Sequence, residues 1–402
     1  MNYILFDSDI RYSLLPLTHT RPVADIRCGI MTMRERWEYI IGKQTGTLTE
    51  EHLQSIVPQN GGSDNVLING AVFATNELYE AISSLNPEEQ LVKGVTVLAA
   101  RVTDNAFEFN NGLVTTVEPK QVEYRGEVDL LEHNWDIFSK NGAAIRSDFE
   151  LLTKEKQSQP LPDGIHTQGK EQIFLEEGAK INAGCILNAT TGPIYIGKNA
   201  EVLEGVMMRG PIALGEEAAI KMGAKVYGDT TIGPHCKVGG ELSNVVFFSY
   251  SNKGHDGYLG NSVIGEWCNL GADTNCSNLK NNYESVKVWD EHRFKSVQTG
   301  LTFCGLIMGD HSKCGINTMF NTGTVVGVSA NIFGGGFPEK FIPSFTWGGS
   351  DGLTTYRFER AVDTANRMME RRGKSLTEND LAMLKHVMSI TEKQRELFTK
   401  TS

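Results

Sequence analysis

With 402 residues the chain is too long for one ordinary core, so two or three parts are expected. A net charge of −11 argues against a nucleic-acid surface, though not against a local basic pocket for an anion, and 40% apolar content suits a globular protein. No apolar run approaches the roughly 18 residues that a membrane span needs, and seven cysteines without a CxxC pair read as reduced thiols of a cytoplasmic protein.

The start carries Asp7 and Asp9 and has neither a basic region nor a long apolar run of the secretory kind. Tyr3-Ile4-Leu5-Phe6 reads as a buried strand and residues 31–41 as a helix with Arg34 and Glu35 on its wet face. Residues 66–68 and 95–100 read as further strands, with a helix over 76–85 between them. Such alternation predicts an α/β domain over 1–152 with an at least partly parallel sheet. Residues 132–148 read as a helical connector, and 153–172, polar with Pro160 and Pro162, as a linker.

From there a six-residue beat takes over. Ile196, Val202, Met208, Leu214, Ile220, Val226, Ile232 and Val238 fall six apart, and the beat returns at Leu175, Ile181, Ile264, Leu270, Met308, Cys314, Phe320, Val326 and Ile332. Neither a helix nor an alternating strand has that period. It predicts a left-handed parallel β-helix of hexapeptide repeats over 173–345, with the opening residue inward and small residues at the corners. Two stretches break the phase, 244–263 and 276–307, and are expected to be ejected loops that carry function. Over 354–402 helical spacing returns, and Thr377 with Asp380 resembles a capping box; these helices are expected to cap the coil.

The first interruption holds Lys253-Gly254-His255-Asp256-Gly257-Tyr258-Leu259-Gly260. His255 lies among glycines in a loop, either a satisfied structural histidine or a catalytic one. His235, His255, His292 and His311 lie too far apart in sequence for a zinc cluster. A histidine accepts a proton near neutral pH, as an amine attacking a thioester requires. Lysines suit a phosphate.

Lys253-Gly254-His255-x-x-Tyr258-Leu259-Gly260, with Gly271-Ala272-x-Thr274-x-x-x-Asn278, resembles the acetyltransferase half of GlmU-type bifunctional enzymes. That family acetylates glucosamine-1-phosphate and then uridylylates it; the whole chain is similar to a GlmU-related group described in Bacteroidetes. The resemblance implies His255 as the catalytic base, and Lys237, Lys253, Tyr258 and Asn278 as substrate-binding residues. It further implies acetyl-CoA as donor, a sugar phosphate as acceptor and a homotrimer. Lys237-Val238-Gly239-Gly240-Glu241-Leu242 stands where the family has Arg-Pro-Gly-Ala-Glu-Leu, which puts Lys237 in the phosphate-binding arginine's role. Leu279 and Gly257 replace two family residues and leave the acceptor sugar open.

Leu15-Pro16-Leu17-Thr18-His19-Thr20-Arg21-Pro22 resembles a segment of sugar-phosphate nucleotidyltransferases. The glycine-rich loop that precedes it there is Phe6-Asp7-Ser8-Asp9-Ile10-Arg11-Tyr12-Ser13-Leu14 here, without glycine, and the family's following lysine is Val23. The domain is also shorter, so a truncated nucleotidyltransferase-like domain is expected. The resemblance implies Arg11 and Arg21 for phosphate and Asp7 and Asp9 for Mg2+; each could equally be a solvated loop charge. Three readings stand: an N-acetyltransferase of an amino-sugar phosphate that also joins in nucleotidyl transfer or does not, a nucleotidyltransferase with an oligomerising β-helix, and a non-catalytic sugar-nucleotide-binding scaffold.

Overall fold

The computed structural model describes residues 1–399. The first part contains β1 (Asn2–Phe6), α1 (Met33–Ile41), β2 (Gly46–Leu48), α2 (Glu51–Gln54), β3 (Asp64–Asn69), α3 (Asn76–Ser83), β4 (Glu89–Lys93), β5 (Thr96–Thr103), β6 (Phe107–Phe109), β7 (Leu113–Thr115), β8 (Lys120–Glu123) and α4 (Asp136–Thr153). Six strands make one mixed sheet in the order β2-β1-β3-β5-β4-β8. β1 runs parallel to β2 and β3, and β5 runs antiparallel to β3 and β4. Both expected helices form, α1 behind a Thr32–Glu35 capping box and ended by Gly42 in the left-handed region.

The hexads build a left-handed parallel β-helix of about 10 turns. Their opening residues make one continuous core, from Ile173 and Leu175 through Ile220 and Val238 to Ile332 and Ile342. Regular coils are eighteen residues long: Ala213 pairs with Thr231 and Ala219 with Lys237. The coil begins earlier than its sequence suggests, because His166–Gln168 already pairs with Ile186–Asn188, inside the expected linker.

The first interruption is not an ejected loop. Thr231 pairs with Val246 and Lys237 with Asn252, fifteen residues on in each case, so the coil is shortened by three and keeps its strands. The hexad count slips while the solenoid continues. The second interruption is a true insertion: Val263 pairs with Ile307 and Leu270 with Cys314, forty-four residues on. It carries an antiparallel hairpin, Lys287–Asp290 with Lys295–Gln298.

That hairpin packs against the first domain within the chain. His292 stacks on Tyr12 at 4.6 Å, and Glu291 accepts from His19 Nε2 at 3.1 Å. A shared core then joins the parts: Leu14, Leu17, Val23, Ile26 and Phe138 meet Val246, Phe248, Val263, Ile307 and Val325 on one outer face of the coil. Apolar burial on both sides fixes the domains as one packed unit. The helices α5 (Phe358–Glu370), α6 (Glu378–Ile390) and α7 (Glu392–Phe398) follow. At the last rung Leu353 bridges to Thr399 next to α7, whereas α6 lies along the flank, with Leu384 and Val387 against Leu53, Val328 and Phe345. The expected helical tail is thus found, and residues 400–402 of it lie outside the described residues.

Candidate active site

Each coil has three faces. The first is covered by the opening domain. The second faces a cleft of about 850 Å³ closed on its far side by α5. The third carries exposed Ile186, Met207 and Tyr227 together with Tyr258. His255 stands between the strands Asn252–Lys253 and Tyr258–Ile264, at the corner where the second face gives way to the third. Its side chain is exposed and lines the cleft, and its ring takes no hydrogen bond within the described residues.

The charged residues lining the cleft are all cationic: Lys221, Lys237, Lys313, Arg367, Arg371 and Arg372. Burial, then the like charges of Arg372, Lys221 and Arg371, hold the Lys237 ammonium below its usual range. Burial likewise pulls Lys313 down to about 8. An anionic ligand would relieve this crowding. Along the adjoining corner runs a ladder of rings, His235 on Tyr250 at 4.5 Å and Tyr250 on Trp267 at 4.2 Å, with His311 beyond at 6.5 Å. All four residues adopt left-handed backbone angles, φ between 56 and 60°, an uncommon state for large side chains that the stacking sustains.

Lys253 is placed differently from the expectation. It pairs with Val238 in register and turns into the coil, fully buried. Its Nζ donates to His255 O at 3.0 Å and Asp256 O at 3.3 Å, and more distantly to Gly239 O. A substrate phosphate cannot reach it; instead it pins the backbone of the histidine loop. Burial draws its pKa down to about 8, below the unfolded value near 10.4. Between those values the unfolded chain binds more protons, so this lysine's contribution to stability rises with pH across that window. Lys237 does line the cleft. Tyr258 and Asn278 meet directly, Asn278 Nδ2 donating to Tyr258 Oη at 3.0 Å.

In the opening domain three of the four expected phosphate and metal residues, Arg11, Arg21 and Asp7, are engaged in the fold. Arg21 pairs with Asp310 and, at 3.5 Å, with Glu266 of the coil, and lies over the Phe248 ring. Burial alone would lower its pKa, but Asp310 and Glu266 outweigh it and raise it. Arg11 pairs with Asp7 and Glu50 and donates to Thr18 O at 2.8 Å. Asp7 accepts from Arg11 Nε at 3.2 Å, Val23 N at 2.8 Å and Thr49 Oγ1 at 2.6 Å, so both its oxygens are taken. Burial pushes its carboxyl up despite those donors. Asp9 is exposed, and among the described residues no group of three or more His, Cys, Asp or Glu side chains is placed to hold a metal ion. These residues do not fit Mg2+.

The contributions of Arg367, Arg371 and Arg372 were not foreseen, because only the tertiary placement of α5 brings them to the cleft. The ladder had a faint signal in His235, Tyr250 and Trp267, which recur about one coil apart in sequence.

Fold and site together define a hexapeptide-repeat transferase joined to a nucleotidyltransferase-like domain. Residues 3–157 match the sugar nucleotidyl transferase family. The chain is 26% identical over 393 residues to a bifunctional sugar-1-phosphate nucleotidylyltransferase/acetyltransferase of Sulfurisphaera tokodaii, covering 80% of this chain and 93% of that one. It is 27% identical over 178 residues to the bifunctional protein GlmU of Trichodesmium erythraeum, 44% of this chain but only 32% of that one. It is 30% identical over 195 residues to the uncharacterized acetyltransferase YaiX of Escherichia coli, 47% of this chain and 84% of that one. The chain belongs to the family of the YaiX acetyltransferase and is similar to the GlmU-type bifunctional proteins.

Proposed function

We propose that the protein is an acetyl-CoA-dependent N-acetyltransferase of an amino-sugar phosphate, with glucosamine-1-phosphate as the reference acceptor. The observation that supports this best is His255, exposed and with its ring unpartnered among the described residues, at the rim of a cleft whose described charged lining is cationic. The acceptor amine attacks the thioester carbonyl and His255 takes the amine's proton. The C–S bond then breaks, and the leaving thiolate of coenzyme A is reprotonated. A phosphate monoester brings about two negative charges. Six cations exceed what the acceptor needs and suit a donor that bears several phosphate groups as well.

Lys237 is assigned to the acceptor phosphate. Lys237→Ala should therefore raise the Michaelis constant for the sugar phosphate more than it lowers turnover. Release of free thiol from acetyl-CoA across a panel of amino-sugar phosphates measures both; an unchanged constant on the best acceptor ends the assignment.

The chain acts as a homotrimer in this reading. The third face exposes Ile186, Met207 and Tyr227 beside the His255 corner, and a second copy seated there completes the surroundings of the base. Light scattering that shows a monomer at micromolar concentration counts against it.

The opening domain serves as a docked support and transfers no nucleotide, since Arg11, Arg21 and Asp7 are committed to internal partners. With Mg2+ and nucleoside triphosphates the protein should release no pyrophosphate; robust release overturns this part.

A further inference from the structure

Along the third face, which Tyr258 opens three residues after His255, runs a line of amides whose hydrogen-bond directions follow from one another. It starts at two backbone carbonyls, Phe138 O on α4 and Asp229 O on the coil. Carbonyls only accept, so the Asn244 amide must turn its nitrogen to them, at 2.7 and 3.2 Å. Its oxygen then faces Asn261 and accepts from Asn261 Nδ2 at 3.0 Å. The Asn261 oxygen is thereby turned outward and accepts from Asn278 Nδ2 at 2.8 Å. The second hydrogen of that same nitrogen goes to Tyr258 Oη at 3.0 Å.

Two consequences follow at the end of the line. The Tyr258 oxygen already accepts, so its own O–H is free to donate away from Asn278. Asn278 has both N–H groups spent, and its Oδ1 takes no partner among the described residues. Gly260 makes room for the arrangement: a Cβ there would lie 2.4 Å from Tyr258 Oη and 2.6 Å from Asn278 Nδ2. The backbone suits the line as well, because Asn244 and Asn261 sit at left-handed corners, φ 54 and 45°, which asparagine tolerates.

We infer that Asn244 and Asn261 are positioning residues that fix the polarity of the Tyr258–Asn278 pair, which presents one donor and one acceptor to a sugar hydroxyl of the acceptor. The assignment to the acceptor rests on the acetyl-transfer reading; the polarity does not. A hydroxyl answers both groups at once. A carbonyl cannot donate to Asn278 Oδ1, and an ammonium cannot accept from Tyr258. Because Phe138 belongs to α4, the opening domain supplies one of the two anchors of the line, so its docking bears on the site from a distance.

The test reads the two parts separately. The full-length protein is labelled with ¹³C at the tyrosine ring carbon bearing the hydroxyl, and the Tyr258 resonance, one of 11 tyrosines, is assigned by its loss in Tyr258→Phe. Donation from Asn278 favours the phenolate. In Asn261→Leu the Asn278 amide is released and can turn its oxygen to the hydroxyl, so Tyr258 should titrate at higher pH than in wild type. Asn261→Gly, which the left-handed backbone accepts without strain, serves where the leucine variant fails to fold. Titration at the same pH in the folded variant and in wild type overturns the polarity. With acetyl-CoA, the Michaelis constant for glucosamine-1-phosphate should rise roughly two- to tenfold with turnover little changed. An unchanged constant beside a shifted titration overturns the hydroxyl assignment, and absence of any acetylation by wild type overturns the transfer reading while leaving the titration to decide the rest.

Discussion

His255→Ala is expected to lower acetyl-transfer turnover by ~10²- to 10⁴-fold, the usual contribution of general-base assistance. Among the described residues lining the cleft, the imidazole is the side chain best suited to take a proton from the attacking amine, since the other titratable ones are lysines, arginines and a packed Tyr250. Stability should change little. The ring is exposed and makes no hydrogen bond within the described residues, and surface substitutions of that kind usually fall within about 0.5 kcal/mol. Binding of the sugar phosphate should persist, because Lys237 remains. Wild-type turnover should also decline on acidification, as a protonated imidazole cannot accept. Steady-state kinetics on the best acceptor, beside a melting curve, decide the matter: a folded variant at the wild-type rate removes His255 from the mechanism.

The largest loss of stability is expected from Asp148→Ala. This carboxylate on α4 is fully buried. It accepts from Arg36 Nε at 2.7 Å, Arg36 Nη2 at 2.8 Å, Ile30 N at 2.8 Å and Met31 N at 3.1 Å. It thus ties α4 to α1 and to the turn before it, where Gly29 at φ 96° leaves no room for a side chain: a Cβ there would meet Asp148 Oδ2 at 2.3 Å. Removing it leaves the Arg36 guanidinium buried without its partner, and breaking such a pair typically costs about 3–5 kcal/mol. Urea unfolding should show the loss, with the opening domain affected first because α4 also carries its contact with the coil. Asp148→Asn keeps the shape and two acceptor sites on one oxygen, so it should lose less. A midpoint for Asp148→Ala equal to wild type would mean that these bonds are not formed in solution.

Periodicity made the coil legible, since residues such as Ile220 and Val238 recur at a spacing that only a three-faced solenoid explains. The same device misled at 244–263. A coil of fifteen residues breaks a six-residue count, and nothing in a linear count separates a shortened rung from an ejected loop. Lys253 shows the cost. In the slipped phase it reads as a free loop lysine, whereas its register with Val238 puts it at an inward position. Arg11, Arg21 and Asp7 erred for another reason: their partners Glu50, Asp310, Glu266 and Thr49 are distant in sequence, and a charge's role depends on what lies across the interface. Tyr258 and Asn278, twenty residues apart, were singled out by family resemblance and do meet.

The ring ladder supplies a built-in optical reporter. Trp267 is one of five tryptophans, and its indole lines the cleft while packed between Tyr250 and His311. Trp37, Trp135, Trp289 and Trp347 lie outside the cleft lining. With those four replaced by phenylalanine, the remaining emission belongs to a ring held parallel to its neighbours at the wall of the proposed site. Its intensity and wavelength follow the water and charge at that wall. A stopped-flow trace of this single fluorophore would time ligand entry separately from bond making, without a label and without a coupled assay.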